Sequence, residues 1–237
     1  MFSHFVVPRF TRMRLPAADG IQNMYAGVVE NENRNELLVT DTLKLVQEGR
    51  TPILLTERKE HAVLLAGRLS NKVKNVFLLI GSDKQKDKRE KLTALQNVSD
   101  NEDVVVVATG KYIGEGFDSP RLDTLLLAMP ISWKGTLAQY AGRLHRNYEG
   151  KHEVRIYDYV DIHVPTLERM YHKRLKGYAE LGYQVKFGAA DKSVSMIYDG
   201  HSSMASFEQD LTDAARSVVI VSPYLQKGRI VKLLPVL

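Results

Sequence analysis

The chain has 237 residues, 44% of them hydrophobic and 26% charged, so it can bury one core and part of a second, and extensive disorder is excluded. Its net charge of +5 is compatible with an anionic partner, and the absence of cysteine excludes disulfides and cysteine-ligated metal sites. No apolar run approaches the roughly 18 residues of a membrane span, and the amino terminus lacks a signal-like pattern, which together predict a cytoplasmic protein.

The first fifty residues predict one strand and two helices. Phe5 to Leu15 is a basic, strand-like segment, and Pro8 indicates an edge position or a lead into the sheet, because proline cannot donate to a central ladder. Asp19 can cap a following helix with an apolar face. A second helix is predicted from about Glu32 to Glu48, ending at Gly49.

Strands then alternate with helices at a regular interval. The predicted strands are Pro52–Thr56, Asn75–Ile80, Asp103–Ala108, Asp123–Met129 and Val154–Val160. The predicted helices are Arg58–Leu69, Lys84–Asn97, a helix after Met129, and Thr166–Leu181, which ends at Gly182. This alternation predicts an α/β fold with a parallel sheet and helices on both faces.

The most informative segment is Gln139-x-x-Gly142-Arg143-x-x-Arg146, on the helix expected after Met129. Arginines three residues apart are expected on one helical face, and Gly142 beside them permits close approach. A guanidinium is permanently charged and forks onto phosphate oxygens, so the pair predicts a site for a polyanion. From spacing alone, an ordinary solvated helix face is the alternative.

A loop punctuated by glycine, Thr109 to Pro120, follows the buried strand Asp103–Ala108 at the place where open α/β sheets bind ligands. Gly114 and Gly116 lack Cβ atoms, so their backbone amides could face a ligand. Asp118 could cap the turn before Pro120.

These segments resemble the motifs of superfamily 2 DNA/RNA helicases and translocases of the DEAD/DEAH type. Ile53 to Arg58 resembles motif IV, Ala108 to Asp118 resembles motif V, and Gln139 to Arg146 resembles motif VI. The three occur in the family's order over roughly residues 30 to 160. The resemblance implies the second, C-terminal RecA-like lobe of such a motor.

The resemblance also implies roles for individual residues. Arg143 and Arg146 would be arginine fingers that reach the γ-phosphate of ATP. Asp118 would accept from ribose hydroxyls or couple to the neighbouring arginine, and Gln139 would position its helix or contact nucleotide. The expected nucleotide-binding residues are Gly114, Gly116, Asp118 and Gln139.

Nucleic acid is the second expected partner; DNA is favoured, and RNA is left open. The expected contacts follow three strand ends: Thr56, Arg58, Gly81, Ser82 and Thr109. Hydroxyls and amides gathered at one edge of a sheet could follow a phosphate backbone without reading bases, although ordinary turn chemistry is the alternative for threonine and glycine there. Weaker candidates are the basic segment Lys84–Lys91 and the cluster Lys173, Arg174 and Lys176.

The sequence lacks the G-x-x-x-x-G-K-[ST] loop and the acidic magnesium motif of the family's first lobe, and no metal site is predicted in it. The chain is therefore expected to be part of a longer motor that uses ATP and Mg²⁺, and to be inactive by itself. The expected segments are residues 1–30 leading in from a first lobe, 31–164 forming the RecA-like lobe, 165–190 forming a connecting helix, and 191–237 beginning a truncated domain.

That last segment resembles, less specifically, the start of a phospholipase-D-like nuclease domain. A strand-like stretch, a helix and the apolar run Ser217 to Tyr224 occur in the appropriate order. The H-x-K pattern of that family is absent, since His201 precedes two serines, so no catalytic residue is inferred.

The sequence thus predicts the C-terminal motor lobe of an ATP-dependent helicase or translocase. Two alternatives are a nucleic-acid-binding or scaffold module that never hydrolyses ATP, and a nuclease whose helicase lobe feeds it substrate. A first lobe upstream would favour the motor, and an H-x-K pattern beyond residue 237 would favour the nuclease.

Overall fold

The computed structural model describes residues 2–16, 20–114, 117–131 and 136–186. The strands are β1 (Ser3–Phe10), β2 (Pro52–Thr56), β3 (Asn75–Leu79), β4 (Val104–Thr109), β5 (Thr124–Leu127), β6 (Glu153–Val160) and β7 (Gln184–Val185). The helices are α1 (Ile21–Glu30), α2 (Glu32–Gln47), α3 (Lys59–Ser70), α4 (Gln85–Gln96), α5 (Gly110–Gly114), α6 (Thr136–Leu144) and α7 (Pro165–Glu180). The expected phospholipase-D-like segment lies outside the described residues.

The strands form one seven-stranded parallel sheet in the order β3-β4-β2-β5-β6-β1-β7. Each strand from β2 to β6 is followed by a helix, as the alternation in the sequence predicted. The predicted α/β class and parallel sheet are therefore confirmed.

Apolar residues cover both faces of the sheet, as β4 illustrates. Val104, Val106 and Ala108 pack in one core with residues of α5, α6 and α7. Val105 and Val107 point to the other face, into a core with α2 and α3. Alternation along the strand thus places helices on opposite faces. Within the described residues, no helix combines the length and apolar character needed to cross a membrane.

β1 pairs with β6 along all eight of its residues, and with the two-residue β7 only at Phe5 and Val6. Val6 accepts from the amide of Lys186, so the backbone of Pro8, two residues on, faces the same side. That side is unpaired at Pro8 because β7 has ended. β1 is not the edge strand that Pro8 suggested, since it lies between β6 and β7, but the missing N–H of Pro8 costs no ladder bond because β7 has ended.

One difference from the sequence prediction concerns local structure. The first part of the glycine-punctuated loop is the short helix α5, which buries Tyr112 and Ile113 in the core. The predicted ends of α2 and α7 are close to those observed, and Gly49 and Gly182 follow them with φ of 75° and 77°. Glycine adopts this left-handed conformation without a Cβ penalty.

Buried ion pairs tie helices to the sheet. The guanidinium of Arg174 on α7 donates to both oxygens of Asp158 at 2.7 and 2.8 Å, and Tyr178 donates to the same carboxylate at 2.9 Å. Arg34 on α2 donates to Asp161 and to the carbonyl of Ala128. Since Arg174 is only 1% exposed, the hypothesis that it contacts nucleic acid is wrong; it anchors α7.

Candidate functional site

The predicted site residues fall on two opposite edges of the sheet. Thr56, Arg58, Gly81, Ser82 and Thr109 follow β2, β3 and β4, three neighbouring strands, so they lie together at the carboxyl edge. We call these five residues the rim. Asp118 and Arg146 lie instead in the segments that lead into β5 and β6, near the amino edge. Asp118 and Arg146, expected at the nucleotide, are thus separated from the five residues expected at nucleic acid.

Buried threonines stabilise the rim by accepting hydrogen bonds from its backbone amides. The amide of Gly81 donates to Oγ1 of Thr109 at 2.9 Å, which joins the end of β3 to the end of β4. Thr109 is itself buried. Its hydroxyl therefore orients the Gly81–Ser82 turn, and Ser82 is exposed at the surface.

Thr56 is also buried, contrary to the expectation that it contacts phosphate. Its Oγ1 lies 3.1 Å from Nδ1 of His61 and accepts from the amide of Arg58 at 3.3 Å. Nε2 of His61 lies 2.9 Å from Oδ1 of Asn35, whose amide nitrogen donates to Val29. This network assigns the proton to Nε2 and makes Nδ1 the acceptor from Thr56. Burial lowers the pKa of His61 to about 3, so the ring is neutral.

Two cations extend from the rim. Arg58 is half-buried and donates to Gln22 of α1. Lys111, at the start of α5, is exposed, and its stem crosses Gly81 so closely that a Cβ there would lie 2.9 Å from Cβ of Lys111. No polar partner of the Lys111 ammonium occurs in the described part of the chain. The sequence analysis did not predict Lys111. The sequence indicates it only indirectly, through Gly81, whose lack of a Cβ leaves room for the lysine stem.

Helix α6 reaches the rim through Tyr140. The phenol donates to Oε1 of Glu57 at 3.3 Å, between the two rim residues of the β2 end. A Cβ on Gly110 would collide with the Tyr140 hydroxyl and the Glu57 carboxylate, so a larger residue there would displace the ends of both side chains. Partial desolvation raises the pKa of Glu57, and burial raises that of Tyr140.

The exposed pair Asp118–Arg146 marks the amino edge. Nε of Arg146 lies 3.3 Å from Oδ1 of Asp118, and the two side chains are 55% and 47% exposed. The predicted coupling of Asp118 to a neighbouring arginine is present in this geometry. The prediction that Arg143 and Arg146 share a helical face is wrong, because α6 ends at Leu144 and Arg146 lies in the turn beyond it.

Arg143 lies in the last turn of α6 and is half-buried beside an apolar cavity lined by Phe117, Leu122 and Tyr140. In the described residues its guanidinium has no hydrogen-bond or ion-pair partner. Gln139, one turn earlier, is exposed.

Of the two glycines expected at the nucleotide, the structure describes Gly114. Gly114 is the last residue of α5, and Gly116 lies outside the described residues. No group of three potential metal-ligating side chains occurs among the residues that the structure describes.

Two viral proteins are similar to the chain in sequence. "Putative helicase 161L" of Invertebrate iridescent virus 6 is 34% identical over 165 residues, which are 66% of this chain and 35% of that protein. "Uncharacterized protein 108L" of Invertebrate iridescent virus 3 is 36% identical over 99 residues, which are 40% of this chain and 90% of that protein. The chain thus spans about a third of the length of the first relative. No family model matches it.

Solved structures give the same fold. T4 UvsW superposes with a TM-score of 0.61 at 18% identity, covering 78% of this chain and 41% of that one. The C-terminal domain of the DEAD-box protein Dbp5 gives a TM-score of 0.53 at 13% identity, covering 78% and 89%. S. cerevisiae Dbp5 bound to RNA and ADP BeF3 gives 0.54 at 12% identity, covering 78% and 41%. At these identities the likeness shows a RecA-like fold of the helicase C-terminal lobe.

Proposed function

This chain belongs to the same protein family as the iridescent-virus protein 108L, and from its RecA-like fold and its helicase relative we propose that it is the C-terminal motor lobe of an ATP-dependent superfamily 2 helicase or translocase. The observation that carries the proposal is the exposed Asp118–Arg146 pair, in segments resembling motifs V and VI of that fold. An exposed arginine that contacts a carboxylate through an exposed ion pair can turn to a phosphate at little cost.

The residues at the amino edge fit a nucleoside triphosphate. Arg146 and Arg143 would neutralise charge that develops on the γ-phosphate, and ATP supplies the phosphoryl group that is transferred to water. Asp118 would hold Arg146 until phosphate replaces it, or accept from a ribose hydroxyl. Gln139, exposed on the same helix as Arg143, would contact nucleotide, with Gly114 and Gly116 shaping the approach. The phosphate loop and Mg²⁺ ligands would come from a first lobe.

The rim would bind the backbone of a single strand. Arg58 and Lys111 supply charge, and Ser82 and the Gly81 turn supply a hydroxyl and a backbone that can approach phosphate closely. Thr56 and Thr109 act indirectly, by fixing these groups from beneath. DNA is the first candidate; the RNA bound to Dbp5 makes RNA the comparison, and titrating both in one sequence decides between them.

In the complete motor, nucleotide binding would close the two lobes and hydrolysis would open them, stepping the strand across the rim. One feature supports another reading. The phospholipase-D-like resemblance of residues 191–237 would make the motor part of a nuclease.

The arginine assignment is tested by ATP turnover in the full-length protein carrying both lobes. Arg143→Ala and Arg146→Ala should each lower kcat by at least ~10²-fold, because each removes charge stabilisation made in the transition state. Arg169→Ala, an exposed arginine on α7, is the matched control and should be unaffected. Near-parental turnover by either variant would remove that arginine from the site. The chain alone should not turn over ATP.

A further inference from the structure

Lys151 occupies the centre of the amino edge. It precedes β6, and its Nζ donates to three backbone carbonyls: Pro120 at 2.7 Å, Leu144 at 2.8 Å and Arg146 at 3.0 Å. Lys151 is half-buried, and neither the helicase motifs nor the comparisons assign it a role.

The three carbonyls belong to the two segments that carry the exposed pair. Pro120 lies two residues after Asp118, and Arg146 contributes its own carbonyl. Leu144 is the last residue of α6, where helix carbonyls lack intrahelical partners and a cation is favourable. One ammonium thus ends α6 and ties the Arg146 turn to the Asp118 segment.

An ammonium suits this position because it carries three donors on one atom, one for each carbonyl. A methionine would keep the stem but donate nothing, and a glutamine amide has only two N–H groups. The Asp118–Arg146 ion pair is exposed on both sides, so it contributes little to holding the two segments together.

We propose that Lys151 is a positioning residue that holds the Asp118 segment and the Arg146 turn together and thereby presents the Arg146 guanidinium to the nucleotide. The proposal rests on the proposed role of Arg146 in ATP hydrolysis, but the positioning itself can be measured without nucleotide.

The test uses the Nε–Hε NMR signal of Arg146, assigned by its loss in Arg146→Lys. The Lys151→Met variant should exchange this proton with water faster than the wild-type chain does. In the Lys151→Met background, Asp118→Asn should no longer change the signal. Lys173→Met, an exposed lysine on α7, is the control and should change neither. If Lys151→Met does not fold, Lys151→Gln is used, with a smaller change expected because two donors remain.

Turnover in the full-length protein separates this inference from the proposed function. Lys151→Met should lower kcat on the order of 10-fold with a smaller change in KM, as expected for a misplaced transition-state group. An unchanged Arg146 signal in Lys151→Met overturns the positioning role, whatever the turnover. A loosened Arg146 with unchanged turnover supports the positioning role and contradicts the arginine finger.

Discussion

Among the described residues, the most buried and the most exposed arginine–aspartate pairs separate scaffold from site. The pairs Arg34–Asp161 and Arg174–Asp158 have side chains at most 1% exposed, and each pair has further hydrogen bonds. The pair Arg146–Asp118 is about half exposed and has a single contact. A buried guanidinium cannot change partner without leaving its carboxylate unpaired, whereas an exposed one can. The exposed pair is therefore the one suited to exchange with a ligand.

Removing one member of a buried pair and one member of the exposed pair tests whether the two kinds differ in their contribution to stability. Arg174→Ala leaves the Asp158 carboxylate buried without its partner, which should lower the free energy of unfolding by about 3–5 kcal/mol. Asp118→Ala removes an exposed pair and should cost less than about 1 kcal/mol. Urea unfolding of both variants measures the difference. Equal losses would mean that exposure does not separate the two kinds of pair.

The sequence predicted the sheet well because strand and helix periodicities are local signals. It failed for Thr56 because β2 is buried along its whole length, so no alternation shows which way its last side chain points. It failed for Arg146 because no glycine or proline ends α6 at Leu144; the carbonyls there are bound by Lys151, seven residues later. Such an end is a tertiary contact and leaves no local pattern.

Arg174 is a different failure, because its signal was in the sequence. Leu167, Tyr171, Arg174 and Tyr178 are spaced at helical intervals, and all four are buried. An arginine within such a stripe lies on the buried face and requires a carboxylate there. Lys111 lies between these cases. A glycine at 81 permits the lysine stem to pack closely, but it does not identify which residue packs there.

Acid provides a second test, since the rim rests on a buried neutral histidine, His61. The pKa of His61 is lowered from 6.5 to about 3, so between these values the unfolded chain binds more protons than the folded one. The free energy of unfolding therefore falls as the pH falls through this window. From about pH 7 to about pH 5 the expected loss from His61 is about 2 kcal/mol.

Chemical unfolding across this pH range checks the sign and the size of the effect. His61→Gln should be less stable at neutral pH but should lose less stability on acidification. His163→Gln, an exposed histidine, should keep the wild-type dependence. A slope for His61→Gln equal to that of the wild type would show that His61 does not carry the acid sensitivity.

The carboxyl edge of the sheet is proposed to bind nucleic acid and the amino edge to bind nucleotide. The salt dependence of oligonucleotide binding distinguishes the two edges. Binding of a labelled single strand to the chain should be weak, with a Kd of ~10⁻⁴–10⁻⁶ M, and should weaken with salt. Arg58→Ala and Lys111→Ala should each reduce the slope of log K against log salt by about 0.7, the value for one phosphate contact on a single strand. Arg146→Ala should leave the slope unchanged. An equal reduction of the slope in Arg146→Ala, or no reduction in Arg58→Ala and Lys111→Ala, would contradict the division of the lobe into a nucleotide edge and a nucleic-acid edge.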